Sequence, residues 1–220
     1  MPQHIRLSLC PVLVAIFASA LTACNQPDPP EPMLAVPAAD HCPSPSNPEF
    51  YLAGTVESAQ FRDFSERWTG GASRVLASMG EPALSCGPVV ESYRLVWIHS
   101  FDNWQPTALR LNRQRRQWSI VAVRLLNAVD QRIVERTERP LTDEAAERAL
   151  AAFGQFALWQ QPSFAVKPDV MDGAMWIVEG RRGSAYHAVL RSNVAEEALR
   201  ELAMTLFDVS GMDAGKIREE

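Results

Sequence analysis

The distribution of proline limits where this chain can build regular structure. Of 16 prolines in 220 residues, eight lie between Asn25 and Glu49. Proline fixes φ and removes a backbone hydrogen-bond donor, so this segment is excluded from helices and central strands. We expect residues 24–49 to form an extended, semi-rigid tether of about 3.1 Å per residue. The sequence then predicts a globular domain over residues 50–212 and a flexible charged tail over residues 213–220.

Residues 1–23 have the composition of a secretory signal. They carry one charged side chain, that of Arg6, followed by a mostly apolar run and the small-residue segment Leu21-Thr22-Ala23-Cys24. This tetrapeptide resembles the lipobox of bacterial lipoproteins. In that family the signal is cleaved before the cysteine, which carries a diacylglyceryl group and an acylated amino terminus. An ordinary signal peptide or a short anchor helix is the alternative.

The lipobox resemblance implies a location for the mature chain. Cys24 would be its first residue, bearing fatty acids such as palmitate, and several acyl chains give stable membrane anchoring. Asn25 stands where the family's inner-membrane retention signal is usually aspartate. The resemblance therefore implies lipid anchoring in the cell envelope, on the periplasmic face of the outer membrane rather than at the inner membrane.

The cysteines are consistent with an oxidising compartment. Cys10 leaves with the signal and Cys24 bears the lipid, so Cys42 and Cys86 are the two remaining thiols. In the periplasm such a pair predicts one structural disulfide. Its 44-residue loop would stabilise the fold by about 4 kcal/mol in the chain-entropy description. A redox site is the alternative, although the chain contains no Cys-x-x-Cys motif.

Hydrophobic periodicity predicts a single α+β domain with a mainly antiparallel sheet of about six strands and helices before, between and after them. A helical pattern broken at Gly70-Gly71 precedes the strands. A helix capped by Thr142 separates four strands from a final hairpin, and a helix capped by Asn193 follows and ends at Gly211. The six predicted strands lie near residues 93–97, 109–111, 118–126, 133–134, 175–180 and 184–191.

The final hairpin contains the candidate catalytic residues. If Gly180 pairs with Ser184 across a three-residue loop, Glu179, His187 and Arg191 share one face of the sheet, with Asp172 near its end. A carboxylate beside an imidazole suits general acid–base chemistry. A polar sheet face whose members satisfy each other is the more ordinary interpretation. A two-residue loop would separate the cluster.

Arginine is concentrated between Pro106 and Pro140, where eight arginines accompany three acidic residues. Arg113, Arg115 and Arg116 are the binding candidates of this segment, and Asp172 and Arg191 are those of the hairpin. The arginines could bind lipid headgroups, lipopolysaccharide phosphates or an acidic partner. Arginines that protect solvated strand edges against aggregation are the alternative interpretation.

Two segments resemble a group of bacterial proteins of unknown function, over roughly residues 55–210. The earlier segment comprises Trp68 and the turn Met79-Gly80-Glu81-Pro82. The later segment comprises Asp172-Gly173-Ala174, Trp176, Glu179-Gly180, Tyr186-His187, Val189 and Arg191. This resemblance implies a recurring fold and no particular activity.

The remaining sequence features narrow the function classes. A net charge of −5 argues against nucleic-acid binding, and the chain has no zinc-protease, P-loop or nucleophile-elbow motif. We expect no cofactor, no metal and no catalysis, but a lipid-anchored domain that interacts with an envelope protein or positions an assembly. A periplasmic module for an anionic lipid, glycan or small molecule is the first alternative. A hydrolase-like enzyme using Glu179 and His187 is the second.

Overall fold

A computed structural model describes residues 36–37, 62–86, 91–99, 105–166, 173–192 and 196–215, with side chains described from residue 70 onward. The predicted signal, the lipobox cysteine Cys24, Cys42 and Asp172 lie outside the described residues, as does most of the predicted tether. No helix in the described part is long and apolar enough to cross a membrane.

The described residues form one mixed α+β fold, which confirms the predicted class. A seven-strand path runs in the order β1-β8-β7-β2-β3-β4-β5, and β6 pairs in parallel with β8 beside this path. The elements are β1 (Val36–Pro37), α1 (Arg62–Ser78), β2 (Glu91–His99), β3 (Thr107–Gln114), β4 (Gln117–Leu125), β5 (Ile133–Pro140), α2 (Asp143–Gln155), a 3-10 helix (Leu158–Gln160), β6 (Phe164–Val166), β7 (Ala174–Arg182), β8 (Ala185–Ser192) and α3 (Glu197–Ser210).

The six predicted strands correspond to β2, β3, β4, β5, β7 and β8. The sequence did not indicate β1 and β6, which have two and three residues and are too short for a periodic pattern. Strand β1 lies within the predicted tether, and its residues Val36 and Pro37 pair with Tyr186 and Ala185 of β8. This position beside β8 is compatible with proline, which is tolerated in edge strands.

Two helix predictions need correction. Helix α1 continues through Gly70 and Gly71, where a break was predicted. Each glycine costs up to about 1 kcal/mol in a helix, but packing of buried neighbours such as Leu76 outweighs this cost. Helix α3 begins at Glu197 with Glu196 as its N-cap residue, three residues later than predicted from Asn193. The predicted Thr142 cap and Gly211 stop are both confirmed.

The sheet is covered on both faces, so its central strands are apolar on both sides. One face, called the α2–α3 face, packs Leu95, Leu109 and Val178 against helices α2 and α3. The other, called the α1 face, packs Val96 and Ile177 against α1. Because successive side chains of a strand point to opposite faces, the register of each strand decides which face receives its polar residues.

Candidate functional site

The pairing of β7 with β8 corrects the predicted hairpin. Arg182 pairs with Ala185 and Gly180 pairs with His187, so the loop has two residues, Gly183 and Ser184. The predicted loop residues Arg181 and Arg182 belong to β7 instead. Gly183 has a φ of 61°, which suits the first central position of a tight two-residue turn.

This register separates the candidate catalytic residues. Glu179 pairs with Ala188 and lies on the α1 face, where Tyr186 also points. His187 and Arg191 lie with Val189 on the α2–α3 face. The predicted cluster of Glu179, His187 and Arg191 is therefore wrong, because the sheet lies between the carboxylate and the imidazole.

Glu179 is fully buried and bonded at both carboxylate oxygens. Arg94 approaches Oε1 with Nη2 at 2.7 Å and Nε at 2.8 Å, and the Tyr186 hydroxyl donates to Oε2 at 3.0 Å. Burial raises the pKa of Glu179, and the contacts with Arg94 and Tyr186 oppose that rise. Both carboxylate oxygens therefore have partners within the protein core.

The same ion pair extends into a buried network comprising Glu81, Arg94, Arg110 and Glu179. Arg94 Nη1 lies 3.3 Å from Glu81 Oε2 and donates to the Pro82 carbonyl at 2.6 Å. Arg110 Nε lies 2.6 Å from the same Glu81 oxygen. Two carboxylates balance two guanidinium groups, and the network fastens the loop after α1 to β2, β3 and β7.

His187 and Arg191 fasten a different part of the chain. His187 Nε2 lies 3.0 Å from the Gln161 carbonyl oxygen, and because a carbonyl can only accept, this nitrogen carries the proton. Burial lowers the pKa of His187, and nearby Arg191 lowers it further while the hydrogen bond opposes this. Arg191 bonds Gln161 Oε1 at 2.7 Å, the Pro162 carbonyl at 2.9 Å and Glu196 Oε1 at 3.1 Å.

Four exposed arginines lie together at one end of the sheet. Arg113, Arg115 and Arg116 are exposed on the β3–β4 hairpin, and Arg182 is exposed at the end of β7. The antiparallel register brings these positions together around Glu91, which lies 2.8 Å from Arg113 and 3.5 Å from Arg182. We call Arg113, Arg115, Arg116 and Arg182 the arginine end.

Aromatic contacts orient two of these arginines. The guanidinium carbons of Arg113 and Arg182 each lie 5.8 Å from a tryptophan ring centroid, those of Trp118 and Trp159 respectively. Arg182 also donates to the Tyr93 hydroxyl at 2.7 Å. Their side-chain fractional exposures of 46% and 64% leave both guanidinium groups accessible to a ligand.

The other two arginines form the turn itself. Arg115 has a φ of 59°, a conformation that costs an L-residue about 1–2 kcal/mol. Within the described part of the chain, neither Arg115 nor Arg116 has an ion-pair partner. The sequence indicated the three hairpin arginines as binding candidates but missed Arg182. The predicted register placed Arg182 in the β7–β8 loop, away from the other three arginines.

The remaining candidate features are a groove and a cysteine. A cavity of about 470 Å³ lies between α2 and α3, and an Arg148–Asp208 ion pair joins the two helices beside it. Cys86 is buried and is not a free thiol, whereas its predicted partner Cys42 is not described, so this pairing stays a prediction. Among the described residues, no group of three or more His, Cys, Asp or Glu side chains is arranged to hold a metal ion.

No protein-family model, curated protein or solved structure matches this chain. The resemblance to lipoproteins and the resemblance to a bacterial group of unknown function therefore stay predictions.

Proposed function

We propose that this chain is a lipid-anchored protein of the bacterial cell envelope, whose α+β domain binds an acidic envelope component without catalysing a reaction. The observation that carries the binding role is the arginine end. The chain as a whole has a net charge of −5, yet at this end of the sheet the described residues place four exposed arginines around one carboxylate, that of Glu91.

The chemistry of arginine favours an acidic partner. The planar guanidinium group donates two parallel hydrogen bonds to a carboxylate or a phosphate, and it is more weakly hydrated than an ammonium group. Stacking on Trp118 and Trp159 reduces the freedom that Arg113 and Arg182 lose on binding. All four arginines project from exposed hairpin or strand ends, which suits contact with another surface.

The contacts of Glu179 and His187 support a domain without catalysis. A general acid and base must reach the same substrate atoms, and these two side chains lie on opposite faces of the sheet. Each is also buried and bonded to neighbouring protein groups. The hydrolase-like alternative therefore loses the pair on which it depended.

Lipid anchoring rests on the sequence around Cys24 and has its own test. Replacing Cys24→Ser removes the thiol that would carry the diacylglyceryl group, and we expect loss of fatty-acid labelling and release from the outer-membrane fraction. Cys10→Ser is the matched control, because this cysteine leaves with the predicted signal and the mature chain stays identical, and it should leave both unchanged. Retention of label and membrane association by Cys24→Ser would contradict the anchoring proposal.

Binding is tested by crosslinking in the intact envelope, followed by affinity capture of the tagged lipoprotein and mass spectrometry. One reproducible, near-stoichiometric acidic protein supports an interaction or assembly role. Absence of any partner above background contradicts that role.

Phosphate groups are a second candidate ligand for the arginine end, because the guanidinium fork fits phosphate as well as carboxylate. Flotation with phosphatidylglycerol vesicles, compared with phosphatidylcholine vesicles, tests this candidate directly. Binding that requires the anionic lipid and weakens with salt would favour a lipid headgroup over an acidic protein.

A further inference from the structure

Strand β5 is the last strand in the order of the sheet. One edge of β5 pairs with β4, and no strand of the described residues pairs with the other. An open edge presents backbone N–H and C=O groups that can pair with a strand of another chain. Its sequence and surroundings therefore decide whether it repels or accepts such a strand.

The hydrogen bonds to β4 show which residues of β5 point outward. The Leu141 amide donates to the Trp118 carbonyl at 2.9 Å, so Leu141 points toward β4. Inward and outward residues alternate in an antiparallel ladder. Arg136, Glu138 and Pro140 therefore present their backbone groups to the open edge, and Pro140 limits pairing at that end because it has no N–H to donate.

The charge pattern of β5 is complementary to that of a second, antiparallel copy of the same strand. The sequence Glu135-Arg136-Thr137-Glu138-Arg139 reads acid, base, neutral, acid, base. If a second copy pairs antiparallel with Thr137 opposite Thr137, Arg136 of each copy faces Glu138 of the other. Glu135 of each copy likewise faces Arg139 of the other. Opposite charges on directly facing residues stabilise antiparallel pairs.

Exposed apolar side chains fall in the same place. Among the described residues, the exposed large hydrophobic side chains are those of Val129, Ile133 and Val134, with exposed fractions of 78%, 41% and 42%. Ile133 and Val134 belong to β5, and Val129 lies in the turn that leads into it. Antiparallel pairing about Thr137 would bring the apolar start of β5 against the Pro140 end of the second copy.

We propose that two copies of this chain associate through β5, antiparallel about Thr137, so that the two sheets become continuous. The open edge, the self-complementary charges and the exposed apolar residues carry this proposal, and none of them involves the arginine end. The paired segment is short, so we expect a weak dimer that forms in solution at high protein concentration and is favoured further when two lipid-anchored copies share one membrane.

Charge exchange between Arg136 and Glu138 tests the proposal. Glu138 has no ion-pair partner among the described residues, and Arg136 donates to the Met79 carbonyl at 3.1 Å. Glu138→Arg places two arginines opposite each other at both symmetric positions, and Arg136→Glu places two carboxylates there. Each variant alone should dimerise roughly 30-fold more weakly than the parent chain.

Mixing the two variants provides the decisive comparison. In a complex of Glu138→Arg with Arg136→Glu, every facing pair is again opposite in charge, so an equimolar mixture should recover the parent affinity. The measurement is sedimentation equilibrium of the full mature chain carrying Cys24→Ser, with circular dichroism melting to show that each variant is folded. A monomeric parent at the highest concentration, or a mixture as weak as the single variants, would overturn the proposal.

A cysteine on the two-fold axis gives a second measurement in the native membrane. Facing residues that do not exchange backbone hydrogen bonds have Cα atoms about 4.5 Å apart, within the range of a disulfide. Thr137→Cys in the lipidated chain should therefore form a disulfide-linked dimer upon oxidation, whereas Glu147→Cys on the exposed side of α2 should not. Equal yields from the two positions would contradict the pairing.

Discussion

Arg94 is a fully buried arginine that contacts carboxylates from two separate parts of the chain. Removing charges from water is costly, and a buried ion pair repays this cost only when its remaining donors and acceptors are bonded. Here the Pro82 carbonyl and the Tyr186 hydroxyl supply such bonds. Loss of Arg94 would therefore leave Glu179 charged in the core without its cation.

Arg94→Met should lower the free energy of unfolding by about 3–5 kcal/mol, because it strands a buried carboxylate. Burial raises the folded-state pKa of Glu179 above its ordinary value of 4.5, so the folded variant binds this proton more tightly than the unfolded chain. The stability of the variant should therefore rise as the pH falls from about 7 toward about 4.5. Urea unfolding across this pH range measures both effects.

The exposed Arg132 provides the control for this prediction. Its side chain is 68% exposed and lies 3.9 Å from Asp130, so Arg132→Met should change stability by less than about 1 kcal/mol. An Arg94→Met variant that unfolds as easily as Arg132→Met, with no gain at lower pH, would contradict a stabilising role for the buried network.

At the scale of the elements, the β7–β8 hairpin depends on a close approach at Gly180. A Cβ atom at this position would lie 2.8 Å from Leu158 Cδ2 and 3.0 Å from Tyr93 Cδ1. Tyr93 lies opposite Gly180 across the β2–β7 pair, and its ring packs against Phe153 of α2. Because glycine has no side chain, Leu158 of the 3-10 helix and the Tyr93 ring can pack directly on the backbone of β7.

Gly180→Ala should lower the free energy of unfolding by about 1–3 kcal/mol, because Leu158 and Tyr93 must move to admit the methyl group. Gly154→Ala in α2 is the matched control, since nothing lies within 4 Å of its Cβ position. It should raise stability by up to about 1 kcal/mol, because alanine favours the helix. Thermal melting of both variants checks the opposite signs, and destabilisation of equal size would contradict the packing argument.

The hairpin also shows what the sequence could and could not predict. Alternating apolar residues identified β7 and β8 because both strands are buried. The alternation leaves the loop length open. When the loop has two residues and not the predicted three, Tyr186 and His187 each lie on the face of the sheet opposite to the predicted one. The sequence also gave no indication of the role of Arg94. Its carboxylate partners, Glu81 and Glu179, lie in a loop and a strand that are distant from it along the chain.

At the scale of the whole molecule, the proposed binding surface lies at one end of the sheet. The β3–β4 hairpin tip and the β4–β5 turn lie at opposite ends of β4, which spans nine residues or about 30 Å. Arg115 and Arg116 belong to the first and Arg132 lies near the second. Charge removal can therefore be placed at the arginine end or away from it with the same change in net charge.

The most direct test of the proposed function compares partner recovery by two such charge-matched variants. Arg115→Gln with Arg116→Gln removes two charges from the arginine end, and Arg132→Gln with Arg200→Gln removes two exposed charges elsewhere. After crosslinking in the intact envelope and capture, we expect the first variant to lose the acidic partner and the second to recover it at the parent level. Equal recovery of that partner by both variants would contradict binding through the arginine end.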